Sequence, residues 1–187
     1  MIKKVVFVIS TVLSVASICG AVELAGIEMP GTLEFGKTRL VLNGAGVRTK
    51  YLLKLYVGGL YLREKGEKAE DIINADEIMA IRLHIISSLI TSERMEESTL
   101  EGFEKATGGN TEPIKEKIEK LISVFKEEIK INDIYDLVYV PDKGIEVYKN
   151  GKIHSVTEGL PFKQALFGIW LCSEPVQKGL KEKMMGQ

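Results

Sequence analysis

The chain is poor in the residues that build metal centres and cross-links. Among 187 residues there are two cysteines and two histidines. Cys19 and Cys172 cannot form a CxxC pair, and no HExxH surrounds His84 or His154. The common zinc spacings are therefore excluded, and neither a metal nor a cofactor is expected. The chain also lacks excess charge: 25 Lys and Arg stand against 26 Asp and Glu, leaving −1 at neutral pH. Nucleic-acid binding needs a basic footprint, so that partner is not expected. No repeat, low-complexity tract or Pro/Ser-rich linker interrupts the sequence, which fits one domain with a real core. No apolar run is long enough to span a bilayer either. The longest, from Val5 to Ile18, falls short of the roughly 18–20 residues a span needs.

That run has another reading. Lys3 and Lys4 precede it, and small residues, Cys19 and Ala21, occupy −3 and −1 of a cut after Ala21. This predicts a signal peptide over 1–21 and a periplasmic or secreted domain over 22–187, with no stable transmembrane anchor. N-terminal sequencing of protein recovered from cells should begin at Val22 or within a residue or two. A product still starting at Met1 overturns the export reading. Cys19 raises a lipoprotein reading, but "ASIC" lacks the leucine usually found three residues before such a cysteine. After cleavage only Cys172 remains, so no internal disulfide can form and the core must hold the fold alone. Loss of Lys3 and Lys4 takes the formal charge from −1 to −3.

Periodicity organises the rest. "VELAGIEMP" and "TLEFG" read as short strands, and "KTRLVLNGAGVR" and "KYLLKLYVGGLYLRE" as longer ones. "EKAEDIINAD" reads as a short helix. "EIMAIRLHII" alternates, with Ile81, Leu83 and Ile85 on one face and Arg82, His84 and Ile86 on the other. Two helices follow. The first is capped at Thr91–Ser92 and stopped by Gly108–Gly109; the second has Ile114, Ile118, Leu121, Ile122 and Phe125 on one face. A strand meander then turns at Asp142–Gly144 and Asn150–Gly151. Pro161 opens an apolar helix, and Pro175 a short amphipathic one. Strands, helices, strands and a helix in that order predict an α+β fold. It is a mostly antiparallel β-sheet covered on one face by helices. The space between such layers suits an apolar ligand.

Arg48 stands out in an apolar strand. By alternation it shares parity with Lys54, Tyr56 and Leu60, if the strand runs on without a bulge. An unpaired guanidinium there would be costly. Its partner is either structural, a carboxylate or backbone carbonyls, or the anionic end of a ligand. The glycines of "GAG" suit a bulge or tight bend, and no GKS or GKT follows to make a phosphate loop.

"GAGVR" followed by "KLYVGGLYL", then "NGK", the helix from Phe162 to Trp170, and "IWL" before "EP" resemble the chalcone isomerase fold family. The similarity runs from Val22 to Lys183, and the bacterial secreted branch is nearest. The resemblance implies an open-faced β-sandwich. It also implies one of two activities, closure of a chalcone to a flavanone or non-catalytic binding of a fatty acid. The enzymes use an arginine, a strand threonine, a helix tyrosine, an asparagine and a hydroxyl on the last helix. Arg48 matches the arginine. The threonine falls on Tyr56, the tyrosine on Arg94 or Met95, the asparagine on Glu101 or Gly102, and the hydroxyl near Gly168. The anion holder is kept and the ketone-polarising set is not.

The resemblance to the fatty-acid-binding branch points to Arg48 and Tyr56 as a carboxylate clamp. The expected ligand-binding set is Arg48, Tyr56, Leu55, Leu89 and Trp170, with Leu60, Phe103, Leu166 and Ile169 as further lining candidates. No catalytic residue is assigned. The expected partner is a small apolar anion such as a fatty acid. The alternatives are an isomerase or lyase using Arg48 and Tyr56 on an enone, and an envelope protein with a filled core and no ligand.

Overall fold

The computed structural model describes residues 20–187. Cys19 and nearly all of the predicted signal segment lie outside the described residues. A hairpin of β1 (Val22–Leu24) and β2 (Ile27–Met29) comes first. Seven strands then pair with their neighbours in chain order, all antiparallel: β3 (Thr32–Phe35), β4 (Thr38–Lys50), β5 (Leu53–Leu62), β6 (Met79–Ile85), β7 (Ile134–Val140), β8 (Gly144–Lys149) and β9 (Lys152–Thr157). The helices are α1 (Ala69–Asn74), α2 (Ser92–Ala106), α3 (Lys115–Val124), α4 (Leu160–Leu171) and α5 (Lys178–Met184). This is the α+β architecture that the element order predicts.

The alternation explains which face is covered. Ile81, Leu83 and Ile85 of β6 and Tyr135, Leu137 and Tyr139 of β7 are buried in the main core with α2, α3 and α4. Their neighbours point the other way. There Arg82 reaches across to Asp136 with two bonds, at 2.6 and 2.8 Å. That pair is structural and satisfies both charges. The β1–β2 hairpin covers part of this second face, where Met29, Leu40, Leu42, Val57 and Tyr61 form a smaller cluster. The sheet is thus an open-faced sandwich.

Local chemistry sets the helix ends. The Thr91 hydroxyl accepts from the Arg94 amide at the start of α2, and Gly108 and Gly109 end that helix at positive φ. The "GAG" glycines lie where α5 crosses β4. The ladder shifts register between Leu42 and Gly44, and a Cβ on Gly44 would collide with the Lys183 carbonyl. Asn43 beside it donates to the Met184 carbonyl at 3.0 Å and accepts from the Gly66 amide at 2.8 Å. The bulge reading of these glycines therefore holds, with a packed helix end as its physical reason.

One side chain breaks the pattern. Lys163, on the apolar helix α4, is fully buried. Its Nζ donates to the carbonyls of Ile72, Ile73 and Ala75 at 2.7, 2.8 and 2.7 Å. The ammonium so caps the C-terminal end of α1, where unsatisfied carbonyls and the helix dipole both favour a cation. Burial pulls it down to about 8, which still leaves it charged at neutral pH.

Candidate functional site

The chain turns between β4 and β5 at Tyr51–Leu52, so Lys50 pairs with Leu53. Arg48 and Tyr56 are therefore partners across a hairpin, and a further register shift follows Arg48. The single-strand parity expected above is replaced by this cross-strand pairing. Both side chains still reach one site. Lys54 is exposed near the hairpin end, and Leu60 is fully buried core.

A cavity of about 450 Å³ opens between this end of the hairpin and the first half of α2. Arg48, Leu55 and Tyr56 form its strand wall. Leu89 stands at its rim, 37% exposed, and Met95 and Ser98 face it from the helix. A second, apolar void of about 40 Å³ lies deeper, bounded by Leu121, Phe125, Leu166, Ile169 and Trp170. Tyr56, Met95 and Ser98 border both spaces. Four of the five expected binding residues thus share one cavity, and Trp170 sits behind them. Leu166 and Ile169 line the inner void. Phe103, like Leu60, is core and lines neither space.

The polar groups have specific geometry. Tyr56 is buried, and its hydroxyl accepts from Trp170 Nε1 at 2.9 Å. Burial raises its pKa, outweighing the lowering effects of the Trp170 bond and of the charge and hydrogen bond of Arg48. The phenol is therefore neutral and keeps its hydrogen. Among the described residues no acceptor takes that hydrogen, so it is available to a guest. Arg48 is half-buried. Its Nη1 donates to the Thr49 carbonyl at 2.9 Å and to Gln177 Oε1 at 3.2 Å. Gln177 also accepts from the Thr49 amide and donates to the Thr49 hydroxyl, which fixes the guanidinium from the α5 side. The structural partners of Arg48 are thus a carbonyl, an amide and the neighbouring Tyr56 hydroxyl. Among the described residues no carboxylate forms an ion pair with it. Glu101 feels Arg48 and Lys50 only weakly; its carboxyl is held low chiefly by Lys105, 2.6 Å away.

Sequence reasoning missed Gln177 as the holder of Arg48. It also missed Arg94 and Lys50 as rim cations. A lone glutamine after Pro175 gives no signal of its own. At the positions where the chalcone enzymes polarise a ketone, Arg94 donates to the Leu89 carbonyl. Gly102 packs on Ile169, and Gly168 is pressed against Ala106. A larger side chain at Gly168 would have to displace α2. Among the described residues no group of three His, Cys, Asp or Glu could hold a metal ion, and no helix is long and apolar enough to cross a membrane.

A family model described as chalcone isomerase-like matches residues 21–186. Among solved structures, the crystal structure of a fatty-acid binding protein of Arabidopsis thaliana is similar, with a TM-score of 0.69 and 22% sequence identity. The match covers 88% of this chain and 95% of that one. No curated protein matches this chain in sequence.

Proposed function

We propose, from the premise that this chain belongs to the chalcone isomerase-like family, that it is a non-catalytic binder of a fatty acid or similar apolar carboxylate. The observation that carries this is the clamp. Arg48 has no carboxylate partner among the described residues, and the Tyr56 hydroxyl has an unspent hydrogen beside it. A carboxylate in the cavity would take a charge-assisted bond from the first and a neutral one from the second. The acyl chain would lie against Leu55, Leu89 and Met95, in a volume within the usual range for small-molecule sites. The export signal expected over residues 1–21 would put its site of action in the periplasm or outside the cell.

Native mass spectrometry of the protein as purified tests this. A bound mass matching a fatty acid, lost on delipidation and regained on adding one, is the expected result. A bare protein that takes up no fatty acid overturns it and favours the filled-core reading.

The enone isomerase reading has one observation in its favour: Arg48 and Tyr56 could hold and polarise an oxyanion. It requires loss of chalcone absorbance at a rate that scales with protein concentration. The expected rate is the spontaneous one, because Arg94, Gly102 and Gly168 supply no ketone-polarising hydroxyl or amide side chain.

A further inference from the structure

We propose that the tip of the β4–β5 hairpin docks the protein on a lipid bilayer bearing anionic headgroups. Tyr51, Leu52 and Leu53 would enter the interface, with Lys50 and Lys54 against the phosphates. Tyr51 and Leu52 form a two-residue turn with φ of 50° and 68°. Two positive φ values define the turn type that favours Asn-Gly, and large side chains there cost conformational energy. The same molecule follows the rule elsewhere: the β8–β9 turn is Asn150–Gly151, at 52° and 78°. At the first tip Tyr51 is 87% exposed, Leu52 99% and Leu53 51%. Three consecutive apolar side chains thus stand in solvent at a strained apex, which points to a use outside the folded core.

Charge selects the partner. From Thr38 to Leu62, β4, the turn and β5 carry Arg39, Arg48, Lys50 and Lys54 and no Asp or Glu, although the whole chain is slightly acidic. Lys50 and Lys54 flank the tip, and the Lys50 ammonium lies 6.0 Å from the Tyr51 ring centre. Glu97 and Glu101 line the same cavity from α2, where Glu101 is paired with Lys105. A convex apolar apex with cations behind it matches a bilayer interface. There leucines reach the acyl boundary, tyrosine sits at headgroup level, and lysines meet phosphate. Tyr51 and Leu53 also line the cavity mouth. On the carrier reading, an acyl ligand would pass between bilayer and clamp without crossing open water. Docking itself does not depend on that reading.

Flotation with vesicles of phosphatidylcholine, with and without phosphatidylglycerol, tests the proposal on protein recovered from cells. All variants share the wild-type N-terminus, so residues before Gly20 contribute equally. Wild type should float with the anionic vesicles, and less so as salt rises. The double variant Tyr51→Asn/Leu52→Gly should bind at least about tenfold more weakly. Its melting temperature should stay level or rise, because the new residues suit the turn. Lys50→Gln and Lys54→Gln should each cost roughly fivefold on anionic vesicles. Tryptophan fluorescence gained in Leu52→Trp should be quenched by brominated lipid. Equal vesicle binding by wild type and the double variant sinks the proposal, as does an unquenched Leu52→Trp. So does a wild-type dimer that ignores vesicles and becomes monomeric in the double variant, since the tip then joins two copies. Vesicle binding without fatty-acid binding would sink the carrier reading alone.

Discussion

Arg48→Ala should weaken fatty-acid binding by about one to two decades. A hydrogen bond to a charged group in a partly dry site is worth roughly 1.5–3 kcal/mol, and each ~1.4 kcal/mol is a decade in affinity. The loss should be specific to the acid. Its methyl ester should bind wild type poorly, because it offers no charge to the guanidinium. Arg48→Ala should barely distinguish acid from ester. Tyr56→Phe should cost less affinity, since it removes one neutral donor. It will also cost stability, because the Trp170 N–H loses its acceptor in a buried setting. Calorimetry on delipidated wild type and both variants reads these effects. If wild type binds acid and ester alike, or Arg48→Ala binds as tightly as wild type, then Arg48 serves only its structural partners, Thr49, Gln177 and Tyr56.

Lys163→Met should destabilise the fold by about 1–3 kcal/mol, the cost of leaving buried polar groups without their hydrogen-bond partner. Methionine fills similar space but leaves the carbonyls of Ile72, Ile73 and Ala75 facing a side chain with no donor. It also loses the ammonium's place between the Tyr139 and Phe167 rings, each with its centre 5.4 Å away. For a domain of this size the change corresponds to a melting temperature lower by roughly 2–12 °C. Urea melts of wild type and variant give the number. A difference under about 1 kcal/mol would mean that α1 simply releases into water when its cap is lost.

Much of the fold is legible in the sequence because burial there is decided by period. Ile81, Leu83 and Ile85 alternate and share a face, Ile114 to Phe125 repeat as a helix, and Asn150–Gly151 turns where the chemistry of those residues favours it. The rest is hidden because long-range partners decide it. Nothing local marks Tyr51–Leu52 as a turn, since both residues suit a strand better. The Arg48–Tyr56 pairing depends on that turn and could not be placed without it. Lys163 reads as one polar residue on an apolar helix. It is buried only because three carbonyls, some 90 residues earlier in the chain, end a helix beside it. Gln177 is silent for the same reason.

The crossing of α5 over β4 bears on the order in which the molecule can be assembled. Asn43 meets Met184 across 141 residues, and Arg48 meets Gln177 across 129. Synthesis is vectorial, so β4 leaves the ribosome long before the segment that completes it. The contacts that fix Arg48 are among the most distant in sequence and therefore among the slowest to close. A nascent chain can pair its strands, yet its clamp stays unset until Gln177–Met184 has emerged.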